Sequence, residues 1–140
     1  MLRIRNMDHI VLRVADLDAS MHFYTQILNC PVEKIQAPLG LYQLRAGTAL
    51  IDLVPLSGTL GQKGGVGPGK EGRNMDHFCL RVDPFDAEVI TAHLKAHGCD
   101  PAPVASRYGA EGQGPSIYVT DPDGNVVELK GPPDTGTPAA

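Results

Sequence analysis

Met7–Val14 reads MDHIVLRV and Met75–Val82 reads MDHFCLRV. Six of the eight positions are identical, and the copies lie 68 residues apart in a chain of 140. One repeat period is therefore about half the chain, and each copy opens a half. Within the first copy the pattern alternates. Ile10, Leu12 and Val14 share one face, while His9, Val11 and Arg13 share the other. A period of two is the signature of a strand. The second copy alternates in the same way, with Phe78, Leu80 and Val82 on the apolar face and His77 and Arg81 opposite.

Outward from the first copy, LDASMHFYTQIL (Leu17–Leu28) spaces Leu17, Met21, Tyr24 and Leu28 by three and four residues. That spacing predicts a helix with one apolar face, capped by Asp16 or Asp18 and ended by Asn29-Cys30-Pro31. Strands are predicted over Val32–Gln36, Leu41–Arg45 and Ala49–Pro55, separated by turn-forming residues. From the second copy the same order recurs. A helix over Asp86–His97 is closed by Gly98 and carries Val89, Ile90 and Leu94 on its apolar side. Strands follow near Ala102–Ser106, Ser116–Thr120 and Val126–Lys130, the last two joined by the turn Asp121-Pro122-Asp123-Gly124-Asn125. Each half thus reads βαβββ. Neither half buries a sheet face alone, so the expectation is one α+β domain over 1–131. Its two βαβββ modules, about 7–56 and 75–131, are expected to share one curled mixed sheet, with the faces opposite the helices lining its concavity. Residues 57–74 are a flexible linker, and 132–140 are a disordered tail.

Composition narrows the function. The hydrophobic fraction of 42% and the charged fraction of 20% are those of a globular protein. A net charge of −4, with no Lys/Arg cluster, argues against a nucleic-acid partner. No apolar run reaches the roughly 20 residues that span a bilayer. MLRIRNMDH lacks the apolar region of a signal peptide, and three cysteines without C-x-x-C spacing fit reduced thiols, so a cytoplasmic location is expected. Within the linker, GGVGPGK (Gly64–Lys70) imitates a phosphate-binding loop, but Glu71 follows it and no helix begins there.

Four polar residues fall on the faces turned away from the helices: His9, Asp52, His77 and Glu128. Each half supplies a histidine on its first strand and a carboxylate on its last. Two imidazoles with one or two carboxylates suit one divalent ion such as Zn, Ni, Co, Mn or Fe(II). Two histidines and one carboxylate leave positions open for water or substrate. A lone strand histidine is more often structural; here the residue recurs at the same register in both halves. His93 and His97, four apart on the second helix, and His22 are read as surface residues.

The segments Asp8–Leu28, Asp76–Val82 and YVTDPDGNVVEL (Tyr118–Leu129) resemble the vicinal oxygen chelate superfamily, which includes glyoxalase I, fosfomycin-resistance thiol transferases, extradiol dioxygenases and bleomycin-binding proteins. The resemblance covers nearly the whole chain apart from the glycine-rich segment and the tail. It implies the paired βαβββ fold, a U-shaped cleft, and a divalent metal held by His9, His77 and Glu128. The glyoxalase I pattern has Glu where Asp52 stands, so Asp52 is a candidate fourth ligand, one methylene short. Glu128 is the candidate catalytic carboxylate for moving a proton next to a carbonyl. Arg13 and Arg81, on the histidine faces, are candidate anchors for a substrate anion, and Tyr108 in the loop Arg107–Ser116 is a candidate substrate contact. The resemblance implies a metal-dependent lyase or isomerase acting on a small molecule, and a homodimer. A small-molecule-binding resistance protein, a thiol transferase and an Fe(II) dioxygenase are the alternatives. The region preceding Ile117 lacks the histidine that the dioxygenase pattern places there.

Overall fold

The computed structural model describes residues 1–134. Two compact units divide the chain, Met1–Lys70 and a second beginning at Glu71, so the boundary falls inside the glycine-rich segment. Each unit is a four-stranded mixed sheet with a helical connection.

In the first unit β1 (His9–Val14) leads into α1 (Leu17–Met21), which continues as a π-helical stretch over His22–Ile27. Asp16 is the cap, its side chain accepting from the Ala19 N–H at 3.1 Å. Asn29 adopts a left-handed φ of 59° and closes the helix, as the sequence predicts. β2 (Val32–Gln36), β3 (Leu41–Ala46) and β4 (Ala49–Pro55) complete the sheet in the order β1-β4-β3-β2. β1 lies parallel to β4, and the other pairs are antiparallel. The second unit repeats this with β5 (His77–Arg81), α2 (Ala87–Ala96), β6 (Ala105–Gly109), β7 (Gly112–Thr120) and β8 (Val126–Lys130), in the order β5-β8-β7-β6. The repeat is thus one of topology as well as sequence. The strands form two four-stranded mixed sheets, one in each βαβββ module, as the paired-module reading expects; alternation assigns a residue to a face, and the structure adds which strand edges pair.

The apolar face of β1 is buried at Leu12 and Val14, while Ile10, Phe78, Leu80 and Val82 are only partly buried. Leu12 and Val14 of β1 lie with Phe23, Tyr24 and Ile27 of the helical segment in the first unit's core, and the Phe23 and Tyr24 rings meet edge-on at 4.9 Å. In the second unit Leu94, Ile117, Val119, Val127 and Leu129 are buried. Val89 was expected on the buried side of α2 but is 63% exposed. At 100° per residue Val89 sits about 140° from Leu94, whereas Ile90 shares its face.

Three sequence expectations are corrected. Arg107–Ser116 is not an open loop. Its residues pair as a hairpin, Arg107 with Gly114 and Gly109 with Gly112, leaving only Ala110 and Glu111 at the turn. Its glycines lowered the strand signal. The segment after Ser57 is not free either. Its turns are tied by bonds such as Gly58 N–H to the Pro55 carbonyl at 2.9 Å and Leu60 N–H to the Leu39 carbonyl at 3.3 Å. A Cβ on Gly61 would fall 1.8 Å from the Pro55 oxygen, so only glycine fits. Finally, the chain is held through Asp134, whose N–H donates to the Gln113 carbonyl at 2.8 Å and whose carboxylate accepts from Ser106 Oγ at 3.3 Å. Residues 135–140, the rest of the expected tail, lie outside the described residues.

The turn at 121–125 sets the register of β7 against β8. Asp121 is buried, and its Oδ1 accepts from the N–H groups of Asp123 and Asn125 at 2.9 and 2.8 Å. Gly124 takes the left-handed φ of 84° that closes the turn. Asp121→Ala strands these donors, and we expect a loss of about 1–3 kcal/mol in urea unfolding. Among the described residues no helix is long and apolar enough to cross a membrane.

Candidate functional site

Each sheet brings a histidine and a carboxylate to one face. In the first unit Val11 registers against Asp52, and Asp52 against Gln43. The shared face therefore carries His9 on edge strand β1, Asp52 on central strand β4 and Gln43 on β3. Asp52 is buried, and its carboxylate accepts from Gln43 Nε2 at 3.3 Å. Gln36 in turn donates to Gln43 Oε1 at 2.9 Å, which fixes the Gln43 amide with its NH₂ toward Asp52.

In the second unit Cys79 registers against Glu128, and Glu128 against Tyr118. Glu128 is buried, and its Oε1 lies 3.1 Å from His77 Nε2. The imidazole is packed edge-on against Tyr118 at 5.3 Å, and the Arg107 guanidinium lies 4.2 Å over the Tyr118 ring. Arg107 also donates to the Ser116 hydroxyl at 2.8 Å. The stack fixes the plane of the ring that Glu128 addresses.

The residue before each histidine has a role that strand alternation hides. His9 Nδ1 donates to Asp8 at 2.7 Å, and His77 Nδ1 donates to Asp76 at 2.6 Å. The Asp-His dipeptide of the repeat thus holds each ring in the tautomer that leaves the Nε2 lone pair free. The His9 pKa is raised, first by the bond to Asp8 and further by the negative charge of Asp52, against some desolvation.

His77 lies between two carboxylates, Asp76 at Nδ1 and Glu128 at Nε2. A neutral imidazole donates at only one nitrogen. The second contact sets Nε2 beside a carboxylate oxygen, the two donor types that a divalent cation takes. The donor set therefore fits a divalent cation: an oriented imidazole and a buried carboxylate in each unit. Among the described residues no three His, Cys, Asp or Glu side chains are drawn together into one metal-binding group. We expect Asp76→Asn to weaken divalent-metal affinity by about 10–100-fold in calorimetric titration, since the ring loses the partner that orients it.

The other candidates are placed as follows. Arg13 donates to the carbonyls of Gly61, Gly65 and Val66 at 2.9, 2.6 and 3.1 Å, so it clamps the glycine-rich segment. Arg81 pairs with Glu111 at 2.6 Å. Tyr108 is exposed and lines a pocket of about 310 Å³ together with His77, Arg81, Glu111, Glu128 and Lys130. Cys79 shares this pocket; burial, with Glu128 beside it, pushes its thiol up to about 11, so it stays protonated. Asp8, Asp76, Gln43 and Lys130 escaped the sequence reading. Adjacency to each histidine signalled the two aspartates, and the two-residue step from Glu128 signalled Lys130.

Paired βαβββ sheets with strand order 1-4-3-2 in each half define a glyoxalase-like fold. The chain belongs to the Glyoxalase/Bleomycin resistance protein/Dioxygenase superfamily, whose family model matches residues 6–129. It is 32% identical over 131 residues to the glyoxalase domain-containing protein RDO1 of Mycosarcoma maydis, covering 91% of this chain and 69% of the relative. It is 31% identical over 134 residues to a probable lactoylglutathione lyase of Vibrio cholerae serotype O1, covering 86% of each. Among solved structures, an integron cassette protein from the mobile metagenome of V. cholerae superimposes with a TM-score of 0.73 at 26% identity, covering 94% of this chain and 98% of that one.

Proposed function

We propose that the protein is a divalent-metal-dependent enzyme of the lyase or isomerase kind, acting on a small molecule with adjacent oxygens. His9, His77 and Glu128 hold the metal, with Asp52 as a candidate fourth ligand. One observation carries the reading: each half presents an oriented histidine beside a buried carboxylate, and His77 stands between two carboxylates that one neutral ring cannot satisfy. The relative named as a probable lactoylglutathione lyase supports the lyase class.

When bound, the metal polarises the substrate oxygens that chelate it. The chain's own groups do the rest. Asp8 and Asp76 aim the imidazoles through the bonds at Nδ1. Tyr118 packs the His77 ring, and Arg107 stacks on Tyr118. Glu128, buried and carrying no net-charge partner other than His77 among the described ion pairs, is the group that takes a proton from carbon and returns it. Asp52 is tethered through Gln43 and reaches less far. The protein acts as a homodimer in the cytoplasm on this reading.

The test is turnover. Formation of lactoylglutathione, followed by absorbance with each of Zn, Ni, Co and Mn added, is expected to appear with metal and vanish with chelator. Copurification of no divalent ion, together with a failure to load one, contradicts the enzyme reading.

A further inference from the structure

The geometry points to an anion-binding subsite at Lys130, two residues beyond Glu128 on β8, which selects substrates bearing a carboxylate or phosphate group. Lys130 is only 6% exposed, yet it lines the same pocket as His77 and Glu128. No Asp or Glu among the described residues pairs with its ammonium, whereas Arg81 beside it is taken by Glu111 and Arg13 by the glycine-rich segment. The Lys130 ammonium opens on this cavity without a carboxylate partner, so an anionic group of a ligand there would complete the pair.

The surrounding backbone is shaped to the side chain. A Cβ on Gly109 would lie 2.6 Å from Lys130 Cε; one on Gly114 would lie 2.4 Å from the Pro132 carbonyl oxygen and 3.1 Å from Lys130 Nζ. Neither position needs glycine for its backbone, since neither takes a left-handed φ. Gly109 makes room for the lysine, at the expense of strand propensity in β6, while Gly114 first admits the Pro132 backbone. The strand therefore carries two functions on one face. Glu128 addresses the chelating oxygens, and Lys130 stands one two-residue step away, roughly 7 Å along β8. A substrate spanning that step carries its anionic group a few bonds from its adjacent oxygens. This deepens the metal-enzyme reading by naming the substrate class, but the cation and its pocket do not depend on the metal.

The test therefore uses chelator-treated protein. Inorganic phosphate and propionate are titrated separately against the full chain, and the backbone amides of Gly109, Gly114 and Gly131 are followed by NMR. Saturable shifts with at least one of the two anions are expected, and which anion saturates distinguishes a phosphate from a carboxylate ligand. Propionamide, the neutral counterpart, is expected to give none. Lys130→Gln is expected to weaken binding at least about 10-fold. Gly109→Ala, which displaces the lysine tip while retaining the charge and the fold, serves if the glutamine variant unfolds, and is expected to weaken binding likewise. The absence of saturable shifts with both anions in the wild type overturns the subsite, as does unchanged affinity in a folded variant. Because no metal is present, these outcomes are independent of whether the metal reading stands.

Discussion

His77→Ala is expected to lose divalent-metal affinity by more than 100-fold, beyond the roughly 10–100-fold that follows removal of an orienting partner. The reason is local. His77 is the one imidazole placed directly against Glu128, at 3.1 Å, and its ring is held from behind by Asp76 and from the side by Tyr118. Alanine removes the donor and leaves Glu128 buried with its charge uncompensated. The effect is readable as stability too. A wild-type protein at 100 times its dissociation constant of metal gains about 2.7 kcal/mol against unfolding, and the variant gains none. Thermal unfolding with and without metal measures this directly. A metal-induced shift that survives in His77→Ala would remove that histidine from the site.

Glu128→Gln is expected to lower kcat by about 10²–10⁴, with KM moving far less. The change is nearly isosteric, and the side chain sits between Cys79 and Tyr118 in the sheet register, so the fold accommodates it. Glutamine keeps an oxygen that can face a cation but cannot carry a proton between carbon atoms. A parallel loss of metal affinity is expected, because a charged ligand becomes a neutral one. Measuring kcat at saturating metal separates the two effects. If kcat is retained there, the proton is moved by another group, with Asp52 the first alternative.

Much of this was legible before any coordinates. The repeated Met-Asp-His stretch, its period-two alternation and the Asp121–Asn125 turn locate both sheets and the register that carries Glu128. What escaped has physical causes. Periodicity assigns faces but not partners, so the strand order within each sheet came only with the structure. The glycines at 109, 112 and 114 read as a loop, because room for a neighbouring lysine and freedom for a turn look alike in sequence. The π-helical turn over His22–Ile27 keeps its apolar side chains buried, so its hydrogen-bond shift left no trace in the pattern. Alternation also placed Asp8 and Asp76 on the faces away from the histidines, although each side chain reaches the adjacent imidazole. Arg13, on the histidine face as expected, turned out to clamp carbonyls. The chemistry of a guanidinium serves a substrate carboxylate and a backbone oxygen equally well.

The central proposal is that the histidines of the repeated stretch hold a divalent ion. Metal content and affinity of the purified protein, His9→Ala and His77→Ala, measured side by side by plasma emission and equilibrium dialysis, test it most directly. The account predicts one ion per chain in the wild type and loss of that ion in either variant. A wild type that loads no divalent ion, or a His9→Ala protein that binds as tightly as the wild type, would contradict it.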